Sequence, residues 1–224
     1  MVEVAKIIKV CTQLFKGSKV GLFAPYWEEV FEYAEIGTPI RVAMFLGQVG
    51  VESDGFTVFE ENLYYRPERL IEVWPKRFRL PKPTEDKNID QFKDGKKNAL
   101  QYARNPEKLA IATYGGRNGN RAFPHRDGWI FRGRGPKQIT GASNYLEFTN
   151  NLGEALERDF IKEPDALLEP RIGLYGAAWF WKNNNLNRYA DTKNVIKVTE
   201  IVNGGRMKLT ERGQIFQQAL KLIL

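Results

Sequence analysis

Wherever this chain is patterned, its apolar residues recur at helical spacing, and few segments alternate as a strand does. Thr38-Pro39 reads as an N-cap followed by proline at the first helical position. The stretch from Ile40 to Glu52 then places Val42, Phe45, Leu46 and Val49 on one face, with Gln48 and Glu52 one turn apart on its margin. Asp54-Gly55 stops it. Ile172, Tyr175 and Trp179 share another face and are expected in a core. A last helix, capped by Thr210, carries the stripe Ile215, Phe216, Ala219, Leu220 and Ile223. Trp129-Ile130-Phe131 is the best candidate for a short strand or hairpin. The fold class is therefore mainly α.

The chain has 224 residues, enough to bury a substantial core as one domain or as one domain with two lobes. Residues 80–98 are polar, carry two prolines, and predict an exposed excursion between helices in a second lobe. With no internal repeat or linker, residues 1–224 read as one catalytic domain without a separate binding module. No run of 18 apolar residues exists, so no stable membrane insertion is expected. The first segment is broken by Glu3, Lys6 and Lys9 and lacks a cleavage site, which predicts no signal peptide and synthesis in the cytoplasm.

Composition narrows the chemistry. Cys11 is the only cysteine and His125 the only histidine, so an intramolecular disulfide, a cysteine zinc site and a multi-imidazole metal site are excluded. Cys11 is expected to be a small buried hydrophobe and His125 a loop residue. No Gly-x-Ser-x-Gly elbow or phosphate loop occurs. Catalysis must rest on carboxylates, amides and hydroxyls, with neither metal nor cofactor. The net charge of +7 implies an anionic partner such as a cell envelope. No basic run interleaved with aromatics marks a nucleic-acid surface.

Two carboxylates flanking a bond suffice for glycoside hydrolysis. Glu52 and the adjacent Glu60-Glu61 are candidates, although among 27 acidic residues such spacing arises by chance. The segment from Gly133 to Gly141 is more informative. Its glycines permit close backbone approach, and Gln138, Thr140 and Asn144 supply neutral groups suited to sugar hydroxyls and acetamides. Asn203-Gly204-Gly205 reads as a helix terminator carrying an amide. Trp74, Phe78 and Trp179 read as core aromatics rather than sugar platforms.

The strings FLGQVGVESDGF, EENLYY, WPKRF, YARNPEKLA, YGGRNGN, DGWIFRGRGPKQITGASNY and VNGG, in that order over residues 38–212, resemble glycoside hydrolase family 19. Within it they are similar to bacteriophage endolysins more than to plant chitinases. The resemblance implies a lysozyme-like, two-lobed helical fold with a substrate groove, the smaller lobe spanning about 63–122, and an inverting mechanism. It places the general acid at Glu52, the second carboxylate at Glu61, and a water-holding hydroxyl at Thr140. Gln138, Asn144, Asn203, Arg212 and Tyr114 fall on substrate-binding positions. Val51 stands where many members carry histidine, and Tyr114-Gly115-Gly116-Arg117 replaces the usual Tyr-Ala-Asn-Arg.

An inverting enzyme needs its carboxyl groups roughly 6.5–9.5 Å apart to admit water. An acid beside an apolar helix face stays protonated near neutral pH while a loop carboxylate stays ionised, which favours Glu52 as the acid. Loop geometry decides between Glu60 and Glu61 as base. The expected function is a monomeric, muramidase-type endolysin acting on peptidoglycan strands for host lysis. It would wait in the host cytoplasm until a membrane lesion releases it to the wall. A chitinase on the same fold is the alternative. A non-catalytic wall-binding module is disfavoured by the retained Glu52 and Glu61.

Overall fold

A computed structural model describes residues 2–224. In chain order its helices are α1 (Val4–Leu14), α2 (Trp27–Tyr33), α3 (Pro39–Glu52), α4 (Pro67–Val73), α5 (Ala99–Tyr102) and α6 (Pro106–Tyr114). They continue with α7 (Asp127–Ile130), α8 (Ala142–Leu156), α9 (Pro170–Asn183), α10 (Asn187–Asp191), α11 (Val195–Asn203) and α12 (Leu209–Ile223). Two-residue strands β1 (Phe78–Arg79) and β2 (Lys97–Asn98) pair in parallel. The fold is mainly α, as the periodicity requires. Two compact units share the chain: the first is Met1–Glu60, Gly133–Thr140 and Tyr145–Leu224, the second Glu61–Arg132 and Gly141–Asn144.

The first unit is built on α3. Thr38 Oγ1 accepts from the Arg41 amide and Pro39 occupies the first turn, the start expected from sequence. Every residue from Val42 to Val51 is buried, so the helix is surrounded rather than one-sided. It packs on α10, α11 and most extensively on α12. The close approach of α12 depends on Gly47, where a Cβ would meet the Arg212 carbonyl oxygen at 3.1 Å. Around it Trp27, Phe31, Phe45 and Trp181 pack edge-to-face, with centroid separations of 5.0–6.4 Å. Ile172, Tyr175, Trp179 and Cys11 are buried in this unit.

Two local expectations are corrected. Trp129 and Ile130 lie in α7, a single helical turn, not a strand; the Trp129 and Ile130 amides both donate to the Arg126 carbonyl. Thr210 does not cap the last helix. Lys208, in the left-handed region at φ 56°, takes that position, and Thr210 is already inside α12. The Arg206 carbonyl accepts from Leu209 there, so a backbone turn rather than a hydroxyl starts the helix.

The second unit closes on a cluster including Leu63, Leu70, Phe78, Ala99, Tyr102 and Leu109, with Trp74 half-buried against it. Residues 80–98 form the exposed excursion between α4 and α5, and one side chain organises it. Arg79 stacks on Phe92 at 3.6 Å, forks onto Glu85 at 2.7 and 2.8 Å, and reaches Asp94 at 2.7 Å. The guanidinium holds the Glu85 carboxyl at about 2, below its ordinary 4.5. A depressed carboxylate stabilises the fold above its unfolded value and loses that contribution as pH falls through the folded one. Arg79→Ala should therefore speed amide hydrogen exchange across residues 80–98 near neutral pH, and wild type should approach the variant as pH drops from about 4.5 to 2. Equal exchange rates near neutrality would refute this account of the segment.

Candidate active site

Glu52 is the last residue of α3. The helix stops there because Ser53 turns its hydroxyl back to the Val49 carbonyl at 2.7 Å and accepts the Phe56 amide at 3.0 Å. Asp54, Gly55 and Phe56 then all adopt positive φ, 48°, 73° and 59°, reversing the chain. Glu52 is thus carried on a buried, rigid helix while its own side chain stays 14% exposed.

Its surroundings are not the apolar surface expected from the helical wheel. Arg212, only 2% exposed, donates from Nη2 to Glu52 Oε1. The same guanidinium donates to Gln48 Oε1 at 3.0 Å and to the Gln48 and Met207 carbonyls at 3.2 and 3.1 Å. Gln48 is itself fully buried and donates to Thr199 Oγ1 at 3.0 Å. The Met207 amide in turn donates to Asn203 Oδ1 at 3.4 Å. Arg212, at a position expected to contact substrate, is thus also the group that orients the Glu52 carboxyl. Asn203 joins the same chain of contacts, and Gly204 at φ 72° terminates α11 as the motif predicts.

Lys137 is the residue that sequence reading passes over. It is nine-tenths buried, with its ammonium 4.3 Å from the centre of the Phe180 ring, and it feels the charges of Glu52 and Arg212. Burial pushes its pKa below the ordinary 10.5, and Arg212 adds to that while Glu52 opposes it. Nothing in the sequence but its place beside Gln138 marks it. A lysine depressed in the fold costs stability wherever the unfolded chain would be protonated, and that cost lifts as pH approaches the ordinary lysine value. Lys137→Met should raise the melting temperature near neutral pH, the gain shrinking toward pH 10.5. A variant no more stable than wild type would remove the penalty assigned to this burial.

The loop from Gly133 to Thr140 is rigid. Arg134, 1% exposed, pairs with Asp165 at 2.5 Å and donates to the Tyr145 hydroxyl at 2.9 Å. Gly135 sits at φ 72°, and a Cβ there would meet the Leu167 carbonyl oxygen at 3.2 Å. Gln138 adopts φ 59° and folds its amide onto the Gly135 carbonyl at 3.0 Å, and the Thr140 hydroxyl donates to the Gln138 carbonyl at 3.0 Å.

The remaining candidates lie in the second unit. Glu61 is half-buried and its Oε1 accepts a hydrogen bond from the Tyr114 hydroxyl at the end of α6. Burial, and then the Glu61 charge, raise the Tyr114 pKa well above the tyrosine range, so the phenol remains a donor. Tyr114, expected to contact substrate, is thereby an orienter of Glu61. Glu60, by contrast, belongs to the first unit, where it is exposed and its backbone bridges to Arg134. Asn144 lies in the first turn of α8, its backbone N–H donating to the Gly141 carbonyl at 3.1 Å. Among the described residues no cluster of three or more His, Cys, Asp or Glu could hold a metal.

Two carboxyl groups, each oriented by its own donor, are the kind of groups that general acid–base chemistry uses. Comparison with known proteins makes this specific. The chain is 36% identical over 178 residues to a glycosyl hydrolase family 19 domain-containing protein of Haemophilus influenzae, covering 80% of this chain and 78% of that one. It belongs to glycoside hydrolase family 19 and is a glycosidase. Chitinase 4 and chitinase 5 of Oryza sativa subsp. japonica are each 36% identical over 66 residues, 29% of this chain and 22% of theirs. The crystal structure of chitinase C from Streptomyces griseus HUT6037 superposes with a TM-score of 0.56 at 16% identity, covering 99% of this chain and 92% of that one, a likeness of fold. No family model matches the chain.

Proposed function

We propose that this glycosidase cuts β-1,4 bonds of bacterial peptidoglycan by inversion, as an endolysin in phage-driven host lysis. Glu52 protonates the leaving oxygen, Glu61 activates the attacking water, and Thr140 helps hold that water. The observation that carries the reading is the setting of Glu52, a carboxyl on a buried helix end that accepts from the buried Arg212, with the buried Lys137 close enough to feel its charge. As its proton leaves, negative charge develops on Glu52, and two preorganised cations offset that charge. Glu61 is the better supported of the two adjacent glutamates because the Tyr114 hydroxyl orients it. The net charge of +7 supports attraction to an anionic wall. No helix among the described residues is long and apolar enough to cross a membrane. Storage in the host cytoplasm until a separate lesion opens the membrane completes the proposal.

The likeness to rice chitinases and to chitinase C favours a second reading, hydrolysis of chitin. Purified peptidoglycan digested with the protein, followed by mass spectrometry and proton NMR, separates the two. Muropeptides with a new reducing N-acetylmuramic acid end and the inverted anomer formed first are expected. Faster cutting of polymeric chitin, with no new reducing ends from peptidoglycan, would replace the endolysin by the chitinase.

A further inference from the structure

The second unit contains a cavity of about 580 Å³ beside α6. Along this helix Leu109, Ala110 and Thr113 turn into the core, while Glu107, Lys108, Ile111 and Ala112 line the cavity. The Glu61 partner Tyr114 is not among its walls. Phe123 stands at the cavity with 81% of its surface exposed. A large aromatic left so open beside an apolar floor is a contact surface waiting for a ligand.

The polar groups specify the ligand's chemistry. The two neutral amides are each partly committed to the backbone: Asn105 Oδ1 caps α6 by accepting the Lys108 backbone amide at 3.0 Å, and Gln91 Nε2 donates to the Gly95 carbonyl at 2.8 Å. What remains is charge of both signs. Lys108 pairs with Asp90 at 2.6 Å, their side chains 34% and 58% exposed. Lys97 and Lys108 lie 5.2 and 4.7 Å from the centre of the Tyr102 ring. Exposed ion pairs of this kind contribute little to stability, so a ligand bearing its own carboxylates and ammonium exchanges with them at little cost.

We infer that this cavity binds the stem peptide of peptidoglycan, seating its carboxylates on Lys97 and Lys108, its diamino-acid ammonium on Asp90, and its methyl groups against Ile111, Ala112 and Phe123. The inference rests on the peptidoglycan reading above. It makes the second unit a reader of the peptide that chitin lacks.

The test uses the full chain and two glycans: intact peptidoglycan strands, and the same strands stripped of peptide by an amidase. Phe123→Ser and Lys108→Gln should each raise KM on peptide-bearing strands about fivefold to tenfold while leaving the stripped strands unaffected, the scale of losing one contact of a binding site. The tripeptide L-Ala-γ-D-Glu-diaminopimelate, titrated into labelled protein, should shift the amide resonances of Ile111 and Ala112, and less so in Phe123→Ser. Wild-type kinetics on both glycans for both variants, or equal losses on both, would overturn the inference while leaving the endolysin intact. A wild type that cuts neither glycan but cuts chitin would remove the peptidoglycan reading and this inference together.

Discussion

Replacing Glu52 by glutamine is expected to leave a folded protein that no longer hydrolyses its glycan. The amide matches the carboxyl in shape, and its oxygen still accepts from Arg212, whose guanidinium also keeps Gln48 and the Met207 carbonyl. Circular dichroism should therefore stay close to wild type, while melting falls because the buried Arg212 loses its counter-charge. What is lost is the transferable proton. A placed general acid contributes typically about 10²–10⁴ in rate, about 2.7–5.5 kcal/mol of barrier. Release of reducing ends, measured on folded Glu52→Gln, decides the matter. Turnover near wild type would remove Glu52 from the chemistry.

Glu61→Gln should cost about as much, roughly 10²–10⁴ in kcat, because a glutamine cannot take a proton from water. Its neighbour provides the internal control. Glu60 precedes it on the same loop, is exposed, and contributes its backbone to a bridge with Arg134, so Glu60→Gln should change kcat little. Tyr114→Phe should fall between, since it removes the donor that orients Glu61 but not the carboxylate. The expected order of kcat is therefore Glu60→Gln, then Tyr114→Phe, then Glu61→Gln. A reversed ranking of the two glutamates, with all three variants folded, would transfer the base to Glu60.

The two carboxylates differ in how far sequence could take them. Both were placed by motif, but the partners of each were not. Arg212 lies 160 residues from Glu52, and Tyr114 lies 53 residues from Glu61. Separations of that length leave no local period to read, so the sequence, which put both at substrate positions, did not show that each donates to a carboxylate. Lys137 was passed over for a related reason. A lysine inside a glycine-rich loop reads as solvated, and only the packing of Phe180 beside it makes it buried. The apolar margin expected for Glu52 failed likewise, since a helical wheel ranks the residues of one helix and says nothing of a cation brought in by another.

Local physics was legible throughout. The Thr38-Pro39 start, the Asp54-Gly55 reversal and the Gly204 terminator each follow from the backbone angles a few adjacent residues prefer, and each stands where the sequence puts it. The helical period also determined the fold class, because it is written in spacings of three and four residues. Where a backbone turn competed with a side-chain cap, at Lys208 ahead of α12, or a few aromatic residues suggested a strand at Trp129, local propensity was too weak to decide. The tertiary structure decided those, and it alone determined which groups face Glu52 and Glu61. The pairing of Arg212 with Glu52 across 160 residues is set by how α12 packs against α3 at Gly47, and that of Tyr114 with Glu61 across 53 by the packing of the second unit, outcomes of whole cores that no short window of sequence contains.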